Sequence, residues 1–456
     1  MTVTNSAQIT DALKAEGERA YDLDRKHVFH SWSAQGGLDP FKVVKTEGSF
    51  VWDSDGKRYI DFSSQMVNTN IGHQHPKVVE AIQEQAGKIA TIAPAHASAP
   101  RSEAARLIAE RAPQGMDYVF FTNGGADANE HAIRMARLHT GKPKVLSAYR
   151  SYHGGTDLAM NVTGDPRRLP IDQASAGTVH FMPCYPYRSY FNAETEEEEV
   201  QRALEHLEQT IILEGPNTIA ALILETVPGT AGIYVPPEGY MAGVRELTEK
   251  YGIIFIADEV MAGFGRTGTW FAVDLWDIIP DLITFAKGVN SGYVPLGGVV
   301  INEAIYETFR DRVYPGGLTY SGHPLATAAA VGAIEAMTNE QMLDNAARLG
   351  NDLIGPELRR MKEQHPAIGD VRGVGCFWAV ELVTNRETKE PLAPYGGSST
   401  AMGEVIGKCK ELGLLVFANF NRIHVVPPLN TADDVIREGL AILDEALALA
   451  DKHYQG

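Results

Sequence analysis

The sequence predicts an α/β protein with a large, mostly parallel, doubly wound sheet and a smaller α+β domain assembled from the two ends of the chain. From about residue 76, short apolar runs alternate with amphipathic helical stretches. The runs YVFF, KVLSA, AALILE, IIFIAD, DLITFA and LGGVVI are almost continuously apolar, as strands covered on both faces are. Both ends of the chain differ in texture, with alternating strand-like segments and turn signals before residue 70 and after residue 330. The expected division is therefore 1–70 as the N-terminal segment of the small domain, 71–330 as the large domain, and 331–456 as the C-terminal part of the small domain.

Taken in order, residues 41–63, FKVVKTEGSFVWDSDGKRYIDFS, alternate apolar and polar positions around DSDG and predict an antiparallel hairpin. HPKVVEAIQEQAGKI follows, with Pro76 suited to the first turn of a helix. FFTNGGADANEHAIRMARLHTG runs from a strand end through glycines into a long helix. The acid run of TEEEEVQRALEHLEQTI reads as an exposed amphipathic helix rather than a binding tail, because Thr195 and Glu198 have capping-box spacing. GVGCFWAVEL and GLLVFANFNRIHVVPPL are strand-like, and a final helix is expected to start at Thr431 and Asp434.

The 456 residues are 44% hydrophobic and 21% charged, the composition of a globular protein with a large core. A net charge of -18 argues against a nucleic-acid or anionic-membrane surface, which needs clustered positive charge. The N-terminus has no apolar signal region, and no run approaches the roughly 18 apolar residues of a membrane span, so a cytoplasmic location is expected. Cys184, Cys376 and Cys409 are few and far apart, which suits reduced thiols rather than a disulfide framework or a zinc site, and no metal is expected.

Three consecutive apolar strands each end on ionisable side chains: Glu225, then Asp258 with Glu259, then Lys287. In a parallel sheet such ends share one rim, where open α/β folds bind ligands. A lysine there is either a surface residue or an amine kept partly uncharged by apolar surroundings, ready to form a Schiff base with a carbonyl. The turn Asn123–Gly124–Gly125 into a helix offers backbone N–H groups to a phosphate, though it matches neither the dinucleotide nor the Walker fingerprint. Pyridoxal phosphate meets all these requirements: its aldehyde needs an amine, its ring nitrogen a carboxylate and its phosphate an anion nest. Tyr152, in SYHGG after another apolar strand, offers a plate for the ring.

IIFIADEVMAGFGRTG, PDLITFAKGVNSGYVPLGGVV and GGLTYSGHPLATAAA, with FFTNGGADANE and SYHGG, resemble the class III, or ω-amino acid, aminotransferases of PLP fold type I over nearly the whole chain. The resemblance implies that Lys287 holds the cofactor as a Schiff base and moves the substrate proton, while Asp258 pairs with the pyridinium nitrogen. It implies Val260 against one ring face and Tyr152 against the other. Gly125 and Ala126 would give N–H groups to the phosphate, and Thr319 would reach that phosphate from the other subunit of a homodimer, alone or within a dimer of dimers. Glu225 would lie beside the cofactor and His153 behind it, and Arg266 is read as structural.

Two departures from the family pattern bear on chemistry. Gly124 and Ala126 stand where relatives commonly carry hydroxyl residues, so backbone donors must hold the phosphate. Phe417 stands where many amine–pyruvate relatives place a mobile arginine, leaving nearby Arg422 as the expected receiver of the acceptor carboxylate, and Met66 and Val67 occupy the pocket segment. The function implied is transfer of an amino group from an ω-amino acid or primary amine to a keto acid such as pyruvate. The alternatives are an aminomutase of the glutamate-1-semialdehyde type, a decarboxylase on the same fold, or a catalytically silent relative.

Overall fold

In a computed structural model, the structure describes residues 10–171 and 177–456; the first nine residues, part of the stretch read as lacking a signal region, lie outside it. Its centre is a seven-stranded sheet in the order Tyr118–Thr122, Gly297–Ile301, Leu282–Phe285, Ile254–Asp258, Ile219–Glu225, Lys144–Ala148 and Thr178–Phe181. Gly297–Ile301 runs antiparallel to both neighbours, and every other pairing is parallel. The fold is thus the mostly parallel α/β arrangement that the apolar runs predict. Every residue of Ile219–Glu225 is buried, which explains the absence of alternation in the central strands. Thr178–Phe181 escapes the sequence reading because it is a four-residue edge strand, half-buried and mixed in polarity.

Helix Gly125–Thr140 buries Ala128, Ala132, Ile133 and Ala136 against the sheet and ends at Gly141, whose φ of 70° closes the helix in the left-handed region. Pro76 occupies the first turn of Pro76–Lys88, as its missing N–H allows. Helix Glu196–Glu214 is capped by Thr195, whose hydroxyl accepts from Glu198 N at 3.2 Å. Glu198 does not complete a capping box: its carboxylate accepts from Glu194 N at 2.7 Å, one residue earlier.

The N-terminal hairpin is a three-stranded meander, Val43–Glu47, Phe50–Asp53 and Arg58–Asp61, because Gly48 makes a second turn at φ 55° besides DSDG. Leu414–Leu415 joins it in parallel against Ile60 and Asp61. The segment GLLVFANFNRIHVVPPL is not one strand; it breaks into Leu414–Leu415, Phe417–Asn419 and Arg422–Val425, the last two forming a hairpin. That hairpin extends the sheet of Ile368–Val374 and Phe377–Asn385. The last helix is Asp433–Asp451, two residues later than Thr431. Among the described residues no helix is long and apolar enough to cross a membrane.

Candidate active site

In register, Glu225 lies opposite Asp258, and Asp258 opposite Thr284, so the strand ends form one rim. A cavity of about 640 Å³ opens there, lined by Lys287, Asp258, Glu225, His153, Tyr152, Val260, Gly125, Ala126, Met66 and Phe417 among others. That is the size range of pockets for small molecules.

Asp258 is buried and fully engaged. Its Oδ1 accepts from Val260 N at 3.0 Å; Oδ2 accepts from Asn129 Nδ2 at 2.8 Å and lies 2.7 Å from His153 Nδ1. Asn129 also donates to the His153 carbonyl at 2.7 Å and accepts from Thr284 Oγ1 at 2.7 Å. Sequence reasoning missed Asn129 and Thr284. The signal was present, since Asn129 is one helical turn after Gly125 and so faces the same strand ends. Glu225 does not sit free beside the cavity: Oε1 accepts from Tyr152 N at 2.8 Å and Oε2 from Gly229 N at 2.9 Å, pinning two wall loops. Burial pushes its carboxyl up, with the Asp258 charge adding and His153 opposing.

Lys287 begins the turn after Leu282–Phe285 with φ 44°, a region that non-glycine residues avoid. Burial holds its amine below the usual lysine range, against the pull of Asp258 and Glu225. Gly288 follows because a Cβ there would stand 2.4 Å from Asn70 Nδ2. Gly125 is equally constrained, since its Cβ would meet Val260 Cγ1 at 2.7 Å. The first amides of its helix have no partner in their own helix and point toward the cavity end of the strands. A dry amine, a buried carboxylate, an aromatic wall and an anion-binding turn around one cavity fit pyridoxal phosphate.

Val67 and Arg422 lie off the cavity wall. Val67 is buried in a cluster with Val227, Ile233 and Phe377 rather than on the cavity wall. Thr319, expected at the phosphate of the other subunit, is exposed and is not among the residues that line the cavity of its own chain. Arg422 is enclosed within the C-terminal sheet opposite Glu381, with Nε and Nη2 unpartnered among the described residues, while Phe417 takes the wall. Phe417 pairs with His424 and Asn419 with Arg422, so Arg422 shares a face of the hairpin with Phe417 but lies further along it, packed against Gly232. Arg266 is structural: fully buried, it donates from Nη1 to the Pro427 and Cys376 carbonyls and from Nη2 to Asn70 Oδ1 at 2.7 Å. The cavity wall also includes Arg167, Trp32 and Asn68, which the sequence did not single out.

Fold and site together are those of the fold type I pyridoxal-phosphate enzymes. Residues 33–447 match the family model of the class-III aminotransferases, and the chain belongs to that family. It is therefore a transaminase. It is similar to the hypotaurine/taurine–pyruvate aminotransferase of Paracoccus denitrificans, 34% identical over 93% of this chain and 95% of that one. It is also similar to the putrescine–pyruvate aminotransferase of Pseudomonas aeruginosa, 33% identical over 97% and 99%. A solved taurine:2-oxoglutarate aminotransferase from Bifidobacterium kashiwanohense, in complex with PLP and glutamate, superposes with a TM-score of 0.92 at 43% identity, covering 96% of this chain and 98% of that one.

Proposed function

We propose that the chain moves an amino group from an ω-amino acid or primary amine to a keto acid such as pyruvate, in a ping-pong sequence, with pyridoxal phosphate in the cavity described above. The observation that carries this reading is the convergence of Lys287 and Asp258 on one cavity at neighbouring strand ends. When bound, the cofactor supplies an aldehyde that takes up amino groups and a ring that accepts electrons. Lys287 Nζ, kept low in pKa by burial, offers a neutral amine and carries the proton to and from the substrate carbon. Asp258 keeps the ring nitrogen protonated, and the Asn129 and His153 contacts hold its carboxylate in place. Tyr152 and Val260 flank the ring, Glu225 fixes the Tyr152 backbone, and Gly125 and Ala126 give N–H groups to the phosphate.

The exposure of Thr319 supports a homodimer in which this residue completes the partner's phosphate site. The pairing of Leu414–Leu415 with Ile60 and Asp61 supports a small domain of 1–70 and 331–456 beside a cofactor-binding unit of 71–330. Three buried free cysteines support a reducing, cytoplasmic setting. The relatives' taurine, hypotaurine and putrescine stand with β-alanine, 4-aminobutyrate and arylalkyl amines as donors to test.

Borohydride reduction and peptide mapping should label Lys287, and a label on another lysine overturns its assignment. Loading the enzyme with an amine and then adding pyruvate should restore the aldehyde spectrum and release alanine. An aminomutase would turn over its substrate with no keto acid added, and that outcome would replace the transaminase reading.

A further inference from the structure

One wall of the cavity is built from a turn that the backbone resists. Met66 and Asn68 line the cavity, and the residues around Met66, namely Ser64, Gln65 and Val67, have φ values of 41°, 59° and 57°. Three of the four residues Ser64–Val67 thus occupy the left-handed half of conformational space without being glycine, and a β-branched valine is the worst placed there. Gln65 is strained further, because its ψ of -101° lies outside the small left-handed well.

Such a turn persists only where its neighbours over-determine it. The neighbour here is the carboxylate of Asp61, fully buried at the end of the strand Arg58–Asp61. Its Oδ1 accepts from Ser63 N at 3.1 Å, from Ser63 Oγ and from Gln65 N at 3.4 Å. Its Oδ2 accepts from Gln65 Nε2 at 2.8 Å and lies 3.0 Å from His73 Nε2. Burial pushes this carboxyl up, but the bonds from His73, Ser63 and Gln65 outweigh it and hold Asp61 below the usual carboxylate range. Past Gln65 the turn is closed by Asn68 Oδ1, which accepts from Met66 N at 3.0 Å, and by Val67, buried in the cluster of Val227 and Phe377. Gln65 is therefore tied through its side chain to the same carboxylate that receives its backbone amide, and that bond offsets a conformation glutamine disfavours.

We propose that Asp61 and Gln65 are positioning residues for the substrate: together they clamp the strained turn, so that Met66 stays on the cavity wall and limits the width of the molecule that fits. The proposal rests on the transaminase reading above for what the cavity holds. Freeing Gln65 from Asp61 lets the turn relax toward ordinary φ, carries Met66 off the wall and widens the cavity. A glycine at position 65 takes the same φ at no steric cost and needs no clamp.

The test is calorimetric binding of acetate and benzoate, which share a carboxylate and differ in width, to the cofactor-loaded wild type, Gln65→Met and Gln65→Gly. Gln65→Met keeps the side-chain length and loses the bond, so the affinity for benzoate relative to acetate should rise by about fivefold or more, within the scale of a lost hydrogen bond to a charged group. Gln65→Gly should leave that ratio within about twofold of the wild type. With β-alanine, Gln65→Met should raise KM while kcat stays within about twofold, since among the described residues neither Lys287 nor Asp258 bonds to the turn. If Gln65→Met does not fold, Gln65→Ala replaces it in the same comparison. An unchanged ratio in Gln65→Met overturns the proposal, as does a wild type that binds neither carboxylate. An equal shift in Gln65→Gly overturns it too, since the glutamine side chain would then be the wall rather than the clamp. A wild type that binds both carboxylates yet transfers no amino group to any keto acid removes the transaminase reading, and the clamp is still decided by the binding ratios.

Discussion

Lys287 combines a left-handed backbone with a dry amine, and both follow from how tightly the chain crosses its strand end. A non-glycine residue at φ 44° costs on the order of 1–3 kcal/mol, a cost tolerated where neighbours over-determine the position. The approach of Asn70 to Gly288 is such a neighbour. Since burial lowers the amine's pKa, the neutral, nucleophilic form is present at lower pH than in a free lysine. Capture of pyridoxal phosphate by the apoenzyme should rise with pH and level off below the ordinary lysine value of about 10.4. A plateau at or above that value would mean a solvated Lys287. Asp258→Asn should retain the cofactor yet slow transamination by roughly 100-fold or more, because an amide no longer holds the ring nitrogen protonated. Single-turnover absorbance with an amine donor reads this directly, and near-normal rates would remove the pyridinium role.

At the scale of the element, the helix Gly125–Thr140 reaches the cavity only because its first residue has no side chain. Val260, two residues past the end of Ile254–Asp258 and so three strands across the sheet from Tyr118–Thr122, fills the space that a Cβ on Gly125 would need. Gly125→Ala should therefore lose about 1–3 kcal/mol of stability through overpacking, and Val260→Ala added to it should recover most of that loss. Thermal unfolding of the two single variants and the double variant measures the coupling; additive effects would show that the two positions do not contact. Helix and strand are legible in the sequence here. Their contact is not, because nothing in a linear reading says which valine stands opposite which glycine.

The whole molecule is tied together by pairings between distant segments. Arg266 bridges the chain near residue 70 to carbonyls at 376 and 427, and Leu414–Leu415 adds to the N-terminal meander. The inferred exchange of Thr319 between subunits extends this to the assembly and has a specific consequence. Lys287→Ala should abolish covalent attachment, and Thr319→Ala should weaken cofactor binding by roughly 10- to 100-fold, the loss of one hydrogen bond to an anion. Mixing the two variants should produce dimers with one fully restored site, carrying Lys287 from one subunit and Thr319 from the other. Titration of the mixture with pyridoxal phosphate that recovers no tight sites would place Thr319 in its own subunit's site, and a Thr319→Ala variant that binds the cofactor as tightly as the wild type would place it in none.

The sequence by itself determined the fold class, the central strands except the edge strand Thr178–Phe181, and the strand ends that carry Glu225, Asp258 and Lys287. Continuous apolar runs ending in charge are a local signal, and two-sided burial leaves no other reading of them. Tertiary structure decided which side chains meet. Asn129 and Thr284 hold Asp258, Arg167 enters the cavity wall, Val67 turns into the core, and Arg422 lies within the C-terminal sheet while Phe417 takes the wall. Those outcomes depend on strand register and on loop paths, and a shift of one residue along a strand exchanges the buried face for the open one.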